Sequence, residues 1–207
     1  MGWKSSSFYK KTRIKSLIVR RYIRVLCFIL LTACSNNVEN RHFVVIGDSI
    51  VARWIVEMYF PDFVIENKGK GAAHIDYLDE FSHKCDGENV VVLIGTNDLT
   101  RINYEKLDVY TERYVNALKE LNASKLYVFS VFPRSIDSDA EHVNDIICEF
   151  NTSVKTSLSE MENVFYIDVF DMLCYEGKLN PQYSFDGVHL NSFGYDLISF
   201  ELRRVLE

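Results

Sequence analysis

The feature that most constrains the fold is a run of five apolar residues at 90–94, Val-Val-Val-Leu-Ile. An uninterrupted apolar run of this length is typical of a parallel β-strand buried on both faces. Similar short runs lie on either side of it, separated by longer segments with apolar residues every three or four positions. Alternating strands and helices predict a parallel sheet covered by helices on both faces. We therefore expect an α/β fold, a three-layer α/β/α sandwich around a five-stranded parallel sheet.

The same patterns place the individual elements along the chain. Strands are predicted at 43–46, 63–66, 90–94, 126–131 and 164–167. Helices are predicted at 50–59, 74–83, 104–121, 143–158 and 192–205. The residues of the last helix expected along its apolar side are Phe193, Leu197, Phe200 and Val205. Because ligands of such sheets bind beyond the carboxyl ends of the strands, polar residues that follow strands are the candidates for a functional site.

Four polar stretches lie at this edge of the predicted sheet. They are Gly47-Asp48-Ser49, Asn67-Lys68-Gly69-Lys70-Gly71, Gly95-Thr96-Asn97-Asp98 and Asp186-Gly187-Val188-His189-Leu190-Asn191. Each has an ordinary explanation taken alone, as a helix cap, a glycine turn, an Asn/Asp turn, or a capping Asp beside a surface His. A serine on a strand-to-helix turn is also placed to act as a nucleophile near the positive end of a helix dipole. Together, the four stretches favour an active site.

The last stretch carries a second chemical signal. Asp186 precedes His189 by three residues, so within one turn its carboxylate can reach the imidazole and select its tautomer. The chain has five histidines, and His42, His74, His83 and His142 lack such an arrangement at a strand end.

In this order the four stretches resemble the conserved blocks of the SGNH hydrolase family, also called GDSL esterases and lipases, named for Ser, Gly, Asn and His. The residues that match are Ser49, Gly69, Asn97 and His189, and the resemblance covers about residues 42–205. The block DGVHLNSFGY is the most specific of the four, and GDS is the least specific. The first block continues as Ile50-Val51-Ala52, a departure that leaves the substrate subgroup open.

The resemblance implies a flavodoxin-like SGNH hydrolase domain over residues 42–207 that transfers an acyl group to water. Ser49 would be the nucleophile, His189 its general base, and Asp186 the residue that orients His189. Backbone N–H groups of Ser49 and Gly69 and the Asn97 side chain would hold the oxyanion. No metal or organic cofactor is required by this mechanism.

The resemblance leaves the substrate and the exact reaction open. The expected substrates are small-acyl, lysophospholipid or carbohydrate esters. The alternatives are an envelope O-acyltransferase and a non-catalytic carbohydrate-binding protein on the same fold.

Charge is distributed unevenly along the chain. Residues 1–33 contain eight basic and no acidic residues, whereas the chain from Cys34 onward contains 15 basic and 29 acidic residues. An acidic body argues against nucleic acid as a partner, because phosphate binding requires a basic face.

The basic N-terminal segment has the order of a secretory signal. An apolar run at 25–31, too short to span a bilayer as a helix, follows the basic residues and leads to Leu31-Thr32-Ala33-Cys34, which resembles a bacterial lipobox. We expect residues 1–33 to be a lipoprotein-type signal peptide, Cys34 to carry the lipid, and 34–41 to be a tether. The protein would then be anchored to a membrane of the bacterial cell envelope. An uncleaved anchor and a cytoplasmic extension are the alternatives.

Three cysteines lie within the predicted domain, Cys85, Cys148 and Cys174. Their wide spacing and the lack of a CxxC pair argue against a zinc site. Buried free thiols are favoured over a disulfide between two of them.

Overall fold

The computed structural model describes residues 41–206. The predicted signal peptide at 1–33, the predicted lipidation site Cys34 and all of the tether except Arg41 lie outside the described residues. The strands of the main sheet are β1 (His42–Gly47), β2 (Val64–Gly69), β3 (Asn89–Leu93), β4 (Lys125–Phe129) and β5 (Val164–Ile167).

Helices alternate with these strands along the chain. They are α1 (Ser49–Arg53), α2 (Val56–Tyr59), a 3₁₀ helix (Ile75–Phe81), α3 (Thr96–Leu99), α4 (Tyr104–Glu120), α5 (Val143–Leu158), α6 (Phe170–Leu173) and α7 (Ser192–Leu206). A short hairpin pairs β6 (Cys174–Tyr175) with β7 (Lys178–Leu179). The elements α3, α6 and the hairpin were not predicted, because one turn or two residues are too short to show a period. Within residues 41–206, no helix is long and apolar enough to cross a membrane.

The five strands form one parallel sheet in the order β2-β1-β3-β4-β5. This order is that of flavodoxin-like folds, in which the chain first builds one side of the sheet and then the other. The register pairs Val45 of β1 with Val91 of β3. The predicted three-layer α/β fold with a five-stranded parallel sheet is therefore confirmed.

Alternate residues of each strand enter two separate apolar cores. Val44 and Ile46 of β1 belong to the core shared with α4 and α5, and Val45 belongs to the core shared with α1, α2 and α7. β3 is buried on both faces, as its unbroken apolar run predicts. The two cores hold the sheet between helical layers and leave the strand ends free to carry a site.

The predicted helix at 50–59 is broken in the structure. Helix α1 ends at Arg53, and Trp54 takes an extended conformation (φ −79°, ψ 112°) before α2 begins. The buried Trp54 indole donates a hydrogen bond to Ser199 Oγ of α7 at 3.1 Å. The side chain of Asn67 donates to the carbonyls of Val51 and Trp54. The Asn67 hydrogen bonds satisfy carbonyls at the end of α1, and the indole bond holds Trp54 against α7, so the helix does not have to continue.

The prediction for the buried face of α7 was wrong for Phe193 and Phe200, which are 61% and 63% exposed. The helix instead buries Tyr195, Ile198 and Leu202, together with Gly194 and Ser199. Tyr195 Oη donates to the Ile50 carbonyl of α1 at 2.8 Å. Apolar residues occur on more than one side of this helix, so periodicity could not identify the side that packs.

The three described cysteines are free. Cys85 is buried, as predicted, but Cys148 is exposed and Cys174 is half-buried. The prediction of buried thiols therefore holds only for Cys85.

Candidate active site

The predicted site residues lie at the carboxyl edge of the sheet. Ser49 follows β1 and Asn97 follows the neighbouring strand β3. From β1 the chain runs outward to β2 on one side and then returns to β3 on the other, so this is the topological switch point of the sheet. Crevices at such points are where open α/β sheets bind their ligands.

The turn between β1 and α1 presents the Ser49 side chain. Asp48 is the N-cap of α1, and its Oδ1 accepts a hydrogen bond from the Ile50 N–H at 2.9 Å. Ser49 is the first residue of the helix and is partly exposed. The capping role that the sequence left open therefore belongs to Asp48, which leaves the hydroxyl of Ser49 available for chemistry.

The three predicted catalytic side chains form one chain of hydrogen bonds. His189 Nε2 lies 2.9 Å from Ser49 Oγ, and His189 Nδ1 lies 2.7 Å from Asp186 Oδ2. An ionised carboxylate is only an acceptor, so Asp186 selects the tautomer with a proton on Nδ1. The lone pair on Nε2 is then free to accept the Ser49 proton.

Hydrogen bonds within the loop that carries Asp186 and His189 fix its conformation. Asp186 Oδ1 accepts the N–H groups of Val188 at 3.0 Å and His189 at 2.8 Å. Gly187 has a φ of 78°, and a Cβ there would lie 2.1 Å from the Ser135 carbonyl oxygen. Only glycine combines this conformation with so close an approach of the loop after β4.

Electrostatics keep the Asp186 carboxylate ionised. Partial burial raises its pKa, but the hydrogen bond from the His189 ring and those from the His189 and Val188 N–H groups outweigh burial. The net effect holds the pKa of Asp186 well below its usual value of 3.8. The residue is therefore negatively charged throughout the neutral range and can stabilise a positively charged His189.

Asp48, directly before the nucleophile, behaves in the opposite way. Its carboxyl group is buried, its Oδ2 has no hydrogen-bond partner among the described residues, and burial raises its pKa to about 7. The nearby Asp98 raises the pKa further, whereas the Ile50 N–H and Arg134 lower it. A neutral acid thus lies beneath Ser49 at moderately acidic pH.

Asn97 connects the site to the loop after β2. Its Nδ2 donates to the Ala73 carbonyl at 2.9 Å, and the amide group carries a second hydrogen that this bond does not use. The neighbouring Asp98 accepts the Ile75 N–H and lies 3.1 Å from the His74 ring. The segment 73–75 is therefore fixed to the end of β3.

The predicted oxyanion-hole role of Gly69 does not fit its position. Gly69 is the last residue of β2 rather than part of the following loop, and its N–H donates to Asn67 Oδ1 at 2.9 Å. A Cβ on Gly69 would lie 2.2 Å from Ala52 N, so the glycine permits β2 to pack against α1. The structure assigns Gly69 a packing contact beneath the nucleophile helix and gives its N–H another acceptor.

Two residues of the site were missed from the sequence. Asn67 bonds to the Gly69 N–H and to α1, whereas the sequence motifs indicated a role in this stretch only for Gly69. The Arg53 Nη1 lies 3.8 Å from Asp186 Oδ2, a contact between segments 133 residues apart that no local pattern could reveal. Among residues 41–206, no group of three or more His, Cys, Asp or Glu side chains could hold a metal ion.

A serine, a histidine and a carboxylate aligned at the switch point of a parallel sheet are the arrangement that serine hydrolases use. The sequence profile described as the GDSL-like lipase/acylhydrolase family matches residues 45–197. The chain belongs to this family, and its matched domain is of the carboxylic ester hydrolase class.

Solved structures with the same fold come from several bacteria. An acylhydrolase structure from Bacteroides fragilis superposes with a TM-score of 0.67 at 20% identity, covering 80% of this chain and 86% of that one. An acetylxylan esterase from Geobacillus stearothermophilus gives a TM-score of 0.61 at 16% identity, covering 80% and 94%.

A curated relative is similar in sequence over part of its length. The N-acylneuraminate cytidylyltransferase of Escherichia coli O18:K1:H7 is 28% identical over 172 residues, covering 78% of this chain and 39% of the relative. The chain therefore spans about two-fifths of the length of this relative.

Proposed function

We propose that this protein removes short acyl groups from the hydroxyls of sugars, through an acyl-enzyme intermediate on Ser49. The observation that carries the proposal is the hydrogen-bonded series of Asp186, His189 and Ser49, with adjacent distances of 2.7 and 2.9 Å. These separations are within the range for direct proton transfer between a nucleophile and its base.

The reaction follows from this geometry. His189 Nε2 accepts the Ser49 proton as Oγ attacks the ester carbonyl, and the protonated ring is stabilised by Asp186. Collapse of the tetrahedral intermediate breaks the bond to the alcohol, which takes the proton from His189. Water then repeats the sequence on the acyl-enzyme, releasing the acid and restoring Ser49.

Three donors are proposed for the oxyanion. The Ser49 N–H, at the start of α1, has no partner among the described residues, and the second amide hydrogen of Asn97 is not used by Ala73. The third donor is proposed in the loop 71–72 rather than at Gly69, whose N–H is occupied. Ala72 has a left-handed φ of 56°, and turns of this kind can direct successive N–H groups towards an anion. Removing one donor of this type typically lowers kcat by about 10²–10³-fold.

A sugar is favoured as the alcohol part of the substrate by two named similarities. One solved structure with this fold is an acetylxylan esterase, and the sequence relative is named for an N-acylneuraminate. A polar cavity of about 320 Å³ is lined in part by Ser135, whose N–H donates to the Gly187 carbonyl in the loop that carries His189. Charged side chains line it, among them Arg134, Asp137 and Lys178, and such a lining suits a hydroxylated molecule better than an acyl chain.

The test compares Ser49→Ala with Ser157→Ala, which alters an exposed serine on α5. We expect wild type and Ser157→Ala to hydrolyse p-nitrophenyl acetate, and Ser49→Ala to lose at least about 10³-fold in kcat/KM while remaining folded. A fluorophosphonate probe should modify Ser49 alone, as read by peptide mass spectrometry. Full activity in Ser49→Ala, or probe bound to another residue, would overturn the assignment.

An ester series then addresses the substrate. We expect acetyl sugars to be cleaved faster than octanoyl esters or lysophospholipids. Adding a sugar acceptor and measuring acylated product against free acid distinguishes a hydrolase from an O-acyltransferase. Predominant transfer to the sugar would show that water is not the natural acceptor.

A further inference from the structure

A cation at the edge of the site makes one long ion pair and no hydrogen bond within residues 41–206. Arg53 is four residues after Ser49 on α1, so the two side chains are on the same face of this helix. Its Nη1 is 3.8 Å from Asp186 Oδ2, which is beyond hydrogen-bond distance, and the side chain is 56% exposed. Among residues 41–206, no hydrogen bond engages its guanidinium group.

The position of Arg53 contrasts with that of the other arginine near the site. Arg134 is buried and uses its guanidinium on Asp139 and on Thr96 Oγ1. Its donors are therefore committed to holding loops together. Arg53 keeps its five N–H donors in a planar fork, the geometry that binds a carboxylate through two parallel hydrogen bonds.

An exposed aromatic residue directly precedes the carboxylate that Arg53 approaches. Phe185 precedes Asp186, whose Oδ2 lies 3.8 Å from Arg53 Nη1, and the Phe185 side chain is 92% exposed. The adjacent Ser184 is buried and donates towards Asp186, so the base of the loop is fixed while the ring projects into solvent. The face of an exposed aromatic ring is a common surface for packing the C–H groups of a sugar.

Because the domain is negatively charged, the presence of Arg53 at the site bears on the charge of the ligand. From Cys34 onward, acidic residues outnumber basic residues by 14, so the domain as a whole repels anions. A neutral sugar would need no cation at this edge. An anionic sugar would need one close to the reacting ester, where it offsets both the general field and the Asp186 charge.

We propose that the site is specific for acyl esters of acidic sugars, with Arg53 binding the sugar carboxylate and Phe185 packing against the sugar ring. This inference rests on the proposed function, because it names the alcohol part of the same ester. It makes Arg53 and Phe185 specificity-determining residues that act in substrate binding, outside the Ser49–His189–Asp186 series.

The experiment uses three acetyl esters and measures acetate release by the full chain. They are O-acetylated glucuronic acid, the same sugar with its carboxylate converted to the primary amide, and p-nitrophenyl acetate. We expect wild type to prefer the acid over the amide by about tenfold or more in kcat/KM, since charge-assisted hydrogen bonds are about twice as strong as neutral ones. Raising the ionic strength should reduce this preference.

Substitutions of Arg53 and Phe185 test whether these two residues recognise the acidic sugar. Arg53→Gln should bring the acid-to-amide ratio close to one, mainly through KM, whereas Arg204→Gln, at the far end of α7, should keep the wild-type ratio. Phe185→Ala should lower kcat/KM on both sugars more than on p-nitrophenyl acetate. Its control is Phe200→Ala, which removes another exposed phenylalanine ring, on α7.

Two outcomes would overturn the inference. Equal rates of wild type on the acid and the amide would show that no carboxylate is recognised. An equal loss on all three esters in Arg53→Gln would show that Arg53 acts only through Asp186. Failure of wild type to cleave p-nitrophenyl acetate would instead count against the proposed function itself.

Discussion

At the scale of single residues, the two aspartates of the site illustrate how surroundings decide charge. Asp186 is half exposed and accepts three N–H groups, so its pKa is held low. Asp48 accepts one N–H and is buried near Asp98, so burial and the Asp98 charge raise its pKa to about 7. The site therefore contains one carboxylate that stabilises a cation and one acid next to the nucleophile that is neutral below about pH 7.

The raised pKa of Asp48 predicts a specific pH dependence of stability. The native state keeps the Asp48 proton up to about pH 7, whereas the unfolded state releases it near pH 3.8. The stability that the Asp48 proton contributes is therefore complete below about pH 3.8 and is lost progressively as pH rises to about 7. Asp48→Asn cannot ionise and keeps the acceptor for Ile50. Its free energy of unfolding relative to wild type should rise by about 3 kcal/mol between pH 5 and pH 8.

Urea unfolding at the two pH values measures this difference. Asp171→Asn, at an exposed carboxylate of α6, is the matched control and should show a much smaller change. A difference between Asp48→Asn and wild type that is the same at pH 5 and pH 8 would mean that Asp48 does not titrate in this range.

At the scale of elements, the contact between β2 and α1 places the nucleophile. Gly69 approaches the backbone of Ala52 so closely that no side chain fits, and Asn67 bonds to the carbonyls at the end of α1. The edge strand β2 thus supports the short helix that begins with Ser49. A five-residue helix has little stability by itself and depends on such tertiary contacts.

Two glycines two residues apart test this contact. Gly69→Ala should destabilise the protein by about 1–3 kcal/mol and reduce ester hydrolysis, because the new Cβ must displace α1. Gly71→Ala should be nearly neutral in stability, since its Cβ would meet nothing within 4 Å. Thermal unfolding and p-nitrophenyl acetate assays compare the two. Equal stability of both variants would show that β2 and α1 are not packed as described.

The orientation of α7 gives a second prediction at this scale. Ile198 is fully buried in the core under α1, whereas Phe200 is mostly exposed. Ile198→Ala should lower the free energy of unfolding by about 2–5 kcal/mol, and Phe200→Ala should change it by about 0.5 kcal/mol or less. Denaturant curves with matching slopes give both values. A larger loss for Phe200→Ala would mean that the opposite face of α7 packs against the sheet.

At the scale of the whole molecule, the sheet separates the start of the domain from the site. The chain enters β1 at His42, and the nucleophile follows the other end of the same strand. A six-residue strand spans about 20 Å. The edge that carries Ser49 is therefore opposite to the edge at which residue 42, the first residue after the predicted tether, begins β1.

The lipobox-like stretch before Cys34 remains a prediction about this tether. When the full chain is expressed in bacteria with labelled palmitate, wild type should incorporate the label and Cys34→Ala should not. Cys27→Ala, within the apolar run, is the matched control and should be labelled like wild type. Equal labelling of the Cys34→Ala protein would exclude lipidation at this cysteine.

The sequence by itself determined the layered fold, the edge that carries the site, and the three residues that the structure joins by hydrogen bonds. Strand and helix periods report the local backbone, so five strands could be placed to within a few residues. The Asp186–His189 pair was readable because both residues lie in one turn. The motifs that follow predicted strands then placed Ser49 at the same edge of the sheet, because the carboxyl ends of parallel strands all lie at one edge.

Only the tertiary structure decided which groups are occupied, buried or charged. The Gly69 N–H was predicted to bind an oxyanion, but the side chain of Asn67 occupies it. That bond is local, but the buried face of α7, the raised pKa of Asp48 and the approach of Arg53 to Asp186 depend on segments far apart in the chain. Burial and hydrogen-bond partners arise from packing between distant segments, and local sequence patterns carry no information about those distances.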